Sequence, residues 1–233
     1  MATFQAQVQA LTSFTISSSG TTPTEAELTQ FIVDGVNDVT IKWLEVNPED
    51  AKLFATTSTE QTSNAVISDT ADTFRVISVM RENGTNNDWV PCKRIPQELQ
   101  GRVVDPDSLM FASKYNPVYY TNENGIHVFP TPGSTTNAFI VEYVNVNPVQ
   151  ADGNALTYSS SGIKYFPMDK VYLVVLYAAI KSLKAAAGNE AILEDTELVN
   201  TYLGLVNSLT SEYHSAFQTK QPAGQPAGRQ QRR

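Results

Sequence analysis

"VYLVVLYAAIKSLKAAAG", residues 171–188, is the stretch on which the fold turns. Its apolar part, Val171 to Ile180, carries no charge and is about half the roughly 20 residues needed to cross a bilayer. A helix that is apolar nearly all round, with no polar side until Lys181 and Lys184, belongs at the centre of a bundle. Pro167 opens this helix, and Gly188 is expected to end it as a C′ residue. A partner helix is predicted over 190–217, because Leu198, Tyr202, Val206, Leu209, Tyr213 and Phe217 recur every three or four residues.

Working back to the N-terminus, the same period appears twice more. Phe4, Val8 and Leu11 mark a short helix. After the linker "SSSGTTPTEAE", Leu28, Phe31, Ile32, Val36, Val39, Trp43 and Val46 predict an amphipathic helix over 23–46. Its expected start uses Thr22 as N-cap, Pro23 in the first helical position and Glu25 three residues after the cap. Val33, Ile41 and Leu44 widen the stripe, which leaves open whether this helix is buried within the chain or against a neighbour. Asn47-Pro48 ends it and starts a short helix holding Ala51, Leu53 and Phe54.

Between the helices the period drops to two. "TFRVISVM" (73–80) followed by Asn83-Gly84, and "NPVYYTNENGIHVFPTP" (116–132) turning at Asn124-Gly125, predict two hairpins. Pro91 places "WVPCKRIP" at a sheet edge. "PQELQGR" reads as one helical turn, and "RVVDPDSLMFA" as a loop running into a strand. "AFIVEYVNV" (138–146) carries apolar residues on both faces, as an inner strand does. The fold class is α+β: an α-helical bundle from the N- and C-terminal helices, with a small inserted antiparallel β domain of four to six strands and an extended C-terminal arm. The expected organisation is bundle helices over 1–60, the β domain over 61–160, further bundle helices over 161–217 and the arm over 218–233.

That arm ends in "QPAGQPAGRQQRR", residues 221–233. Pro alternating with Gly supports neither helix nor strand. Stretched out, its thirteen residues reach roughly 40–45 Å. The chain of 233 residues has a net charge of −8, unevenly spread. Lys220, Arg229, Arg232 and Arg233 follow the last acidic residue, Glu212, so residues 1–219 carry −12 and the end carries +4. So acidic a body does not seek phosphate backbones. The charge pattern suits either a merely solubilising extension or a tether whose arginines meet carboxylates or carbonyls on another protein.

Little in the sequence points to catalysis. His127 and His214 lack a nucleophile, carboxylate or metal-ligand motif beside them, and phosphate-binding glycine loops are absent. "DPDS" at 105–108 is expected to be a turn in which Asp105 and Asp107 cap amides, since it lacks the ligand spacing of a calcium loop. Cys92, the single cysteine, reads as a half-buried thiol even though Lys93 and Arg94 adjoin it. Without a charged leader and apolar core at the N-terminus, no signal peptide is expected. Tyr119, Tyr120 and Phe129 form either a cross-strand cluster or, less favoured, a stacking platform of a carbohydrate-binding module. No enzyme activity, catalytic residue, metal or cofactor is expected.

"TPTEAELTQFIVDGVNDV" (22–39), the 116–132 hairpin and above all "KYFPMDKVYLVVLYAAIKSLKAA" (164–186) together resemble the head-to-tail connector (adaptor or neck) proteins of tailed bacteriophages. The resemblance implies a structural virion protein, assembled in the bacterial cytoplasm into a homo-oligomeric ring of about twelve copies in the neck. Such a ring joins the portal protein to a tail or nozzle protein, and DNA passes through it without sequence-specific binding or a membrane partner. An acidic lumen would let DNA slide where a basic one would grip it. Carried onto this chain, the portal-binding residues are Lys220, Gln221, Pro222, Arg229, Gln230, Gln231, Arg232 and Arg233. The alternative within the virion is a tail completion or terminator ring.

Overall fold

The computed structural model describes residues 2–64, 73–84, 88–122, 125–145, 147–192 and 195–217. The chain is α+β and forms two compact units. One holds residues 1–46, 157–161 and 172 onward; the other holds 47–156 and 162–171.

The helical unit contains α1 (Phe4–Thr12), α2 (Glu25–Val46), α4 (Val171–Ile192) and α5 (Thr196–Ser215). At the head of α4, Pro167 precedes a 3-10 turn over Met168–Lys170. Leu173, Val174, Val175, Leu176, Ala178, Ala179, Ile180, Leu183, Ala186 and Ala187 are all buried along α4, as an all-round apolar helix demands. The helix outruns its apolar stretch. Residues Met168–Ile192 are long and apolar enough to cross a membrane by length and composition, but 67% of the most apolar window is buried inside the protein, as in a core helix.

Two predicted boundaries shift. Gly188 does not close α4, which continues to Ile192; the glycine stays helical because its only penalty there is about 1 kcal/mol of propensity. The next helix begins later than residue 190, where Asp195 caps α5 by accepting from the Leu198 amide at 3.1 Å. At the start of α2 the capping box is formed by Thr24 and Glu27, not by Thr22 and Glu25. Thr24 Oγ1 accepts from the Glu27 amide at 3.3 Å, and Glu27 Oε2 accepts from the Thr24 amide at 2.7 Å. "TPTEAE" contains the box pattern twice, and Glu25 is occupied elsewhere: its Oε1 accepts from Gln5 Nε2 at 3.1 Å. The segment 157–161 ties α1 to α2. Phe4 and Gln5 amides donate to Ser160 and Tyr158 carbonyls, and the Tyr158 amide donates to Thr29 Oγ1.

The β unit opens with a 3-10 segment over Pro48–Phe54 and, among the described residues, has seven strands in two sheets, beyond the expected four to six. β1 (Ala55–Thr57), β2 (Thr73–Glu82), β3 (Trp89–Pro91) and β7 (Phe139–Asn145) form the first, in the order β1-β7-β2-β3. β7 is an inner strand and Pro91 lies on the edge strand, as the sequence predicts. β4 (Lys93–Arg94), β5 (Val118–Asn122) and β6 (Gly125–Phe129) form the second. β4 pairs with β5 in parallel, so the β unit is not wholly antiparallel. Asn122 pairs with Gly125, the first residue of β6, which carries a φ of 120°. Residues 123 and 124 lie outside the described set.

The β5–β6 hairpin is covered on both faces. Tyr119, Ile126 and Val128 pack with Val79, Phe139 and Val141 of the first sheet. Val118, Tyr120 and Phe129 pack with Ile95, Val103 and Ala112, residues on and around the short helix α3 (Gln100–Val104). The outer edge of β6 is stopped by one side chain: Asn64 Oδ1 accepts from the Val128 amide at 2.8 Å and Nδ2 donates to its carbonyl at 3.2 Å. The segment 105–112 makes turns and does not run into a strand.

Two helical glycines are expected to respond oppositely to substitution. A Cβ on Gly35 of α2 would stand 3.1 Å from Tyr177 Cδ1 and 3.3 Å from the Val174 carbonyl oxygen of α4, whereas one on Gly188 meets nothing within 4 Å. Gly35→Leu is expected to destabilise by about 1–3 kcal/mol through overpacking, and Gly188→Ala to stabilise by up to about 1 kcal/mol. Urea denaturation of both variants checks the pair of signs.

Candidate functional site

The eight residues assigned to partner binding, Lys220, Gln221, Pro222, Arg229, Gln230, Gln231, Arg232 and Arg233, lie outside the described residues. What the structure builds is the base from which that segment leaves. Tyr213, in the last turn of α5, is buried and donates its hydroxyl to Asp38 Oδ2 of α2. Lys42 Nζ reaches the same oxygen at 2.7 Å and stands 4.9 Å from the centroid of the Tyr213 ring and 6.0 Å from that of Phe217. The Phe217 ring lies 5.1 Å from Tyr213 and 6.5 Å from Trp43. Tyr172 of α4 adds a hydrogen bond to Glu212 Oε1 at 2.9 Å. The charged pair alone is worth at most about 1 kcal/mol because it is partly exposed. The aromatic contacts and the buried hydroxyl supply the rest of the hold.

Burial first, and then the hydrogen bond to the Asp38 carboxylate, hold the Tyr213 phenol well above its ordinary range. An acid whose folded pKa is raised contributes stability below its unfolded value and loses it as pH rises beyond that value. This clamp therefore weakens above about pH 10.

The α5 stripe is only partly used. Val206 and Tyr213 are buried; Tyr202, Leu209 and Phe217 are half-buried; Leu198 is exposed. Leu203 and Leu205 are exposed as well.

A second surface lies in the β unit, in the turn after α3. Asp105 Oδ1 accepts from the Asp107 amide at 3.0 Å, the expected Asx turn, while the Asp107 carboxylate has no partner among the described residues. Ser108 and Phe111 amides donate to the carbonyls of Asp105 and Ser108. The turn is thus held in shape, yet Leu109 at its tip is 107% exposed, with Met110 and Phe111 also exposed. The sequence predicts a loop running into a strand over "RVVDPDSLMFA", which does not single out this exposed apolar tip. The available signal was an apolar run enclosed by turn formers, which is an error in a loop unless something covers it.

Other candidates resolve as structure. Tyr119, Tyr120 and Phe129 are at most 8% exposed, so they offer no stacking platform and the carbohydrate-binding alternative loses its basis. His127 lies flat against Tyr120 at 4.8 Å, and its Nε2 is buried without a hydrogen-bond partner among the described residues. His214 lies on the exposed side of α5 beside Tyr213. Among the described residues no group of three or more His, Cys, Asp and Glu is placed to hold a metal ion. Burial pushes the Cys92 thiol up to about 12, outweighing the opposing Arg81 charge.

The described surface features are the base of the C-terminal segment and the exposed apolar turn after α3. The family profile described as SU10 adaptor protein matches residues 2–225, nearly the whole chain, and the chain belongs to that family. It is accordingly a bacteriophage structural adaptor, a virion component that interacts with other virion proteins. No curated protein sequence matches the chain.

Two outcomes test this geometry. Tyr213→Phe leaves the Asp38 carboxylate without its buried donor and is expected to cost about 1–3 kcal/mol in chemical denaturation. Cys92 is expected to react with a thiol reagent at pH 8 about a thousandfold more slowly in the native protein than in urea, since a pKa near 12 leaves far less thiolate than the ordinary value near 8.5.

Proposed function

We propose that this protein is the head-to-tail connector of its phage: a homo-oligomeric ring, about twelve-fold, between the portal and a tail or nozzle protein. The match to the adaptor family over residues 2–225 carries this reading. The helical unit forms the ring wall, residues 218–233 form the arm that docks on the portal, and the β unit faces the tail. DNA passes through the channel without being read, and the acidic body favours sliding over gripping. The subunits assemble in the bacterial cytoplasm and act in the virion neck.

The arm is built for docking in many copies. Hydrogen bonds to charged groups contribute about 1.5–3 kcal/mol each, so Arg229, Arg232 and Arg233 together supply several kcal/mol. Association of one copy costs an estimated 4–15 kcal/mol, which leaves a single arm weak. A ring of arms binds tightly because each docked copy raises the effective concentration of the next. The clamp of Tyr213, Phe217, Lys42 and Trp43 supports this reading by fixing the point from which the arm leaves.

Removing residues 221–233 is expected to abolish co-sedimentation with the purified portal protein of the same phage. The thermal melting of the remainder should stay unchanged. Normal docking by the truncated protein would refute the arm's role.

A further inference from the structure

We infer that the turn at Asp107–Leu109 docks on a second copy of this chain, in the hollow beside β4, and so forms the contact that closes the ring; this inference rests on the ring reading above. The hollow has a volume of about 420 Å³ and is lined by Arg94, Ile95, Pro96, Gln97 and Thr121. It lies where the chain runs on from β4, an edge strand of two residues, beside Thr121 of the neighbouring β5. The Arg94 guanidinium has no carboxylate within ion-pair distance among the described residues, and it donates to Thr121 Oγ1 at 3.5 Å.

The turn presents the complement. Leu109 projects an uncovered apolar side chain, and two residues before it Asp107 carries an unpaired carboxylate. Leucine meets the Ile95 and Pro96 side of the hollow; the carboxylate meets the guanidinium, a pairing whose geometry suits arginine. The turn is held by four hydrogen bonds from backbone amides: Ser108 and Phe111 donate to the carbonyls of Asp105 and Ser108, and Asp107 and Met110 donate to Asp105 Oδ1 and Ser108 Oγ. Little ordering entropy is therefore lost when it binds. Knob and hollow are different patches of one unit, so the contact is head-to-tail, the kind that propagates around a closed ring.

The experiment uses the full chain mixed with purified portal protein, with assembly read by native mass spectrometry and folding by thermal melting. Leu109→Ser, Arg94→Asp and Asp107→Arg alter exposed side chains and are each expected to melt like the wild type but lose the ring. The double variant Arg94→Asp with Asp107→Arg is expected to regain it, because the pair is restored with its signs exchanged. Rings formed by all three single variants as readily as by the wild type overturn the contact while leaving the ring reading intact. Failure of the double exchange to recover what the singles lose overturns the pairing of Arg94 with Asp107. A wild-type chain that never forms a ring with the portal overturns both.

Discussion

Enclosing α4 is the constraint from which the helical unit follows. A helix with valine, leucine and alanine on every side has no face to give to water, and each fully buried Val or Leu contributes roughly 1.5–3 kcal/mol. The neighbours are shaped to that demand. Gly35 lets α2 approach within contact distance of the Val174 carbonyl and the Tyr177 ring, and Tyr177 in turn meets Tyr213 of α5. The same packing therefore fixes the helix core and the end of α5 from which the basic segment departs.

The β unit meets a comparable demand by a different route. The β5–β6 hairpin buries alternate residues on its two faces, Tyr119 toward the first sheet and Tyr120 toward the surroundings of α3. Both faces of the hairpin being consumed, what the hairpin region offers at its surface is the hollow at the end of β4 and the turn after α3. Adaptors join other proteins, and surfaces of this kind are where a packed β unit can do so without opening its core.

Much was legible in the residues because it depends on local rules. The central role of 171–187 came from an apolar pattern without a polar face, β7 as an inner strand from apolar residues on both sides, and the edge position of Pro91 from its missing amide proton. The misplacements are equally instructive. "TPTEAE" satisfies the capping pattern twice, and only the engagement of Glu25 by Gln5 leaves Glu27 for the box. Gly188 looked like a stop, but a glycine without a left-handed φ is only a weak helix former, and Asp195 supplies the stronger signal.

The sequence by itself determined the α+β class, the succession of helices and strands and the uneven charge, because composition and periodicity act through neighbours along the chain. Tertiary structure decided which apolar residues are covered. Tyr119 and Tyr120 vanish into two cores, while Leu109, with a side chain no less apolar, stands wholly in water. Burial is set by what packs across a unit from residues distant in sequence, and no local pattern encodes that pairing.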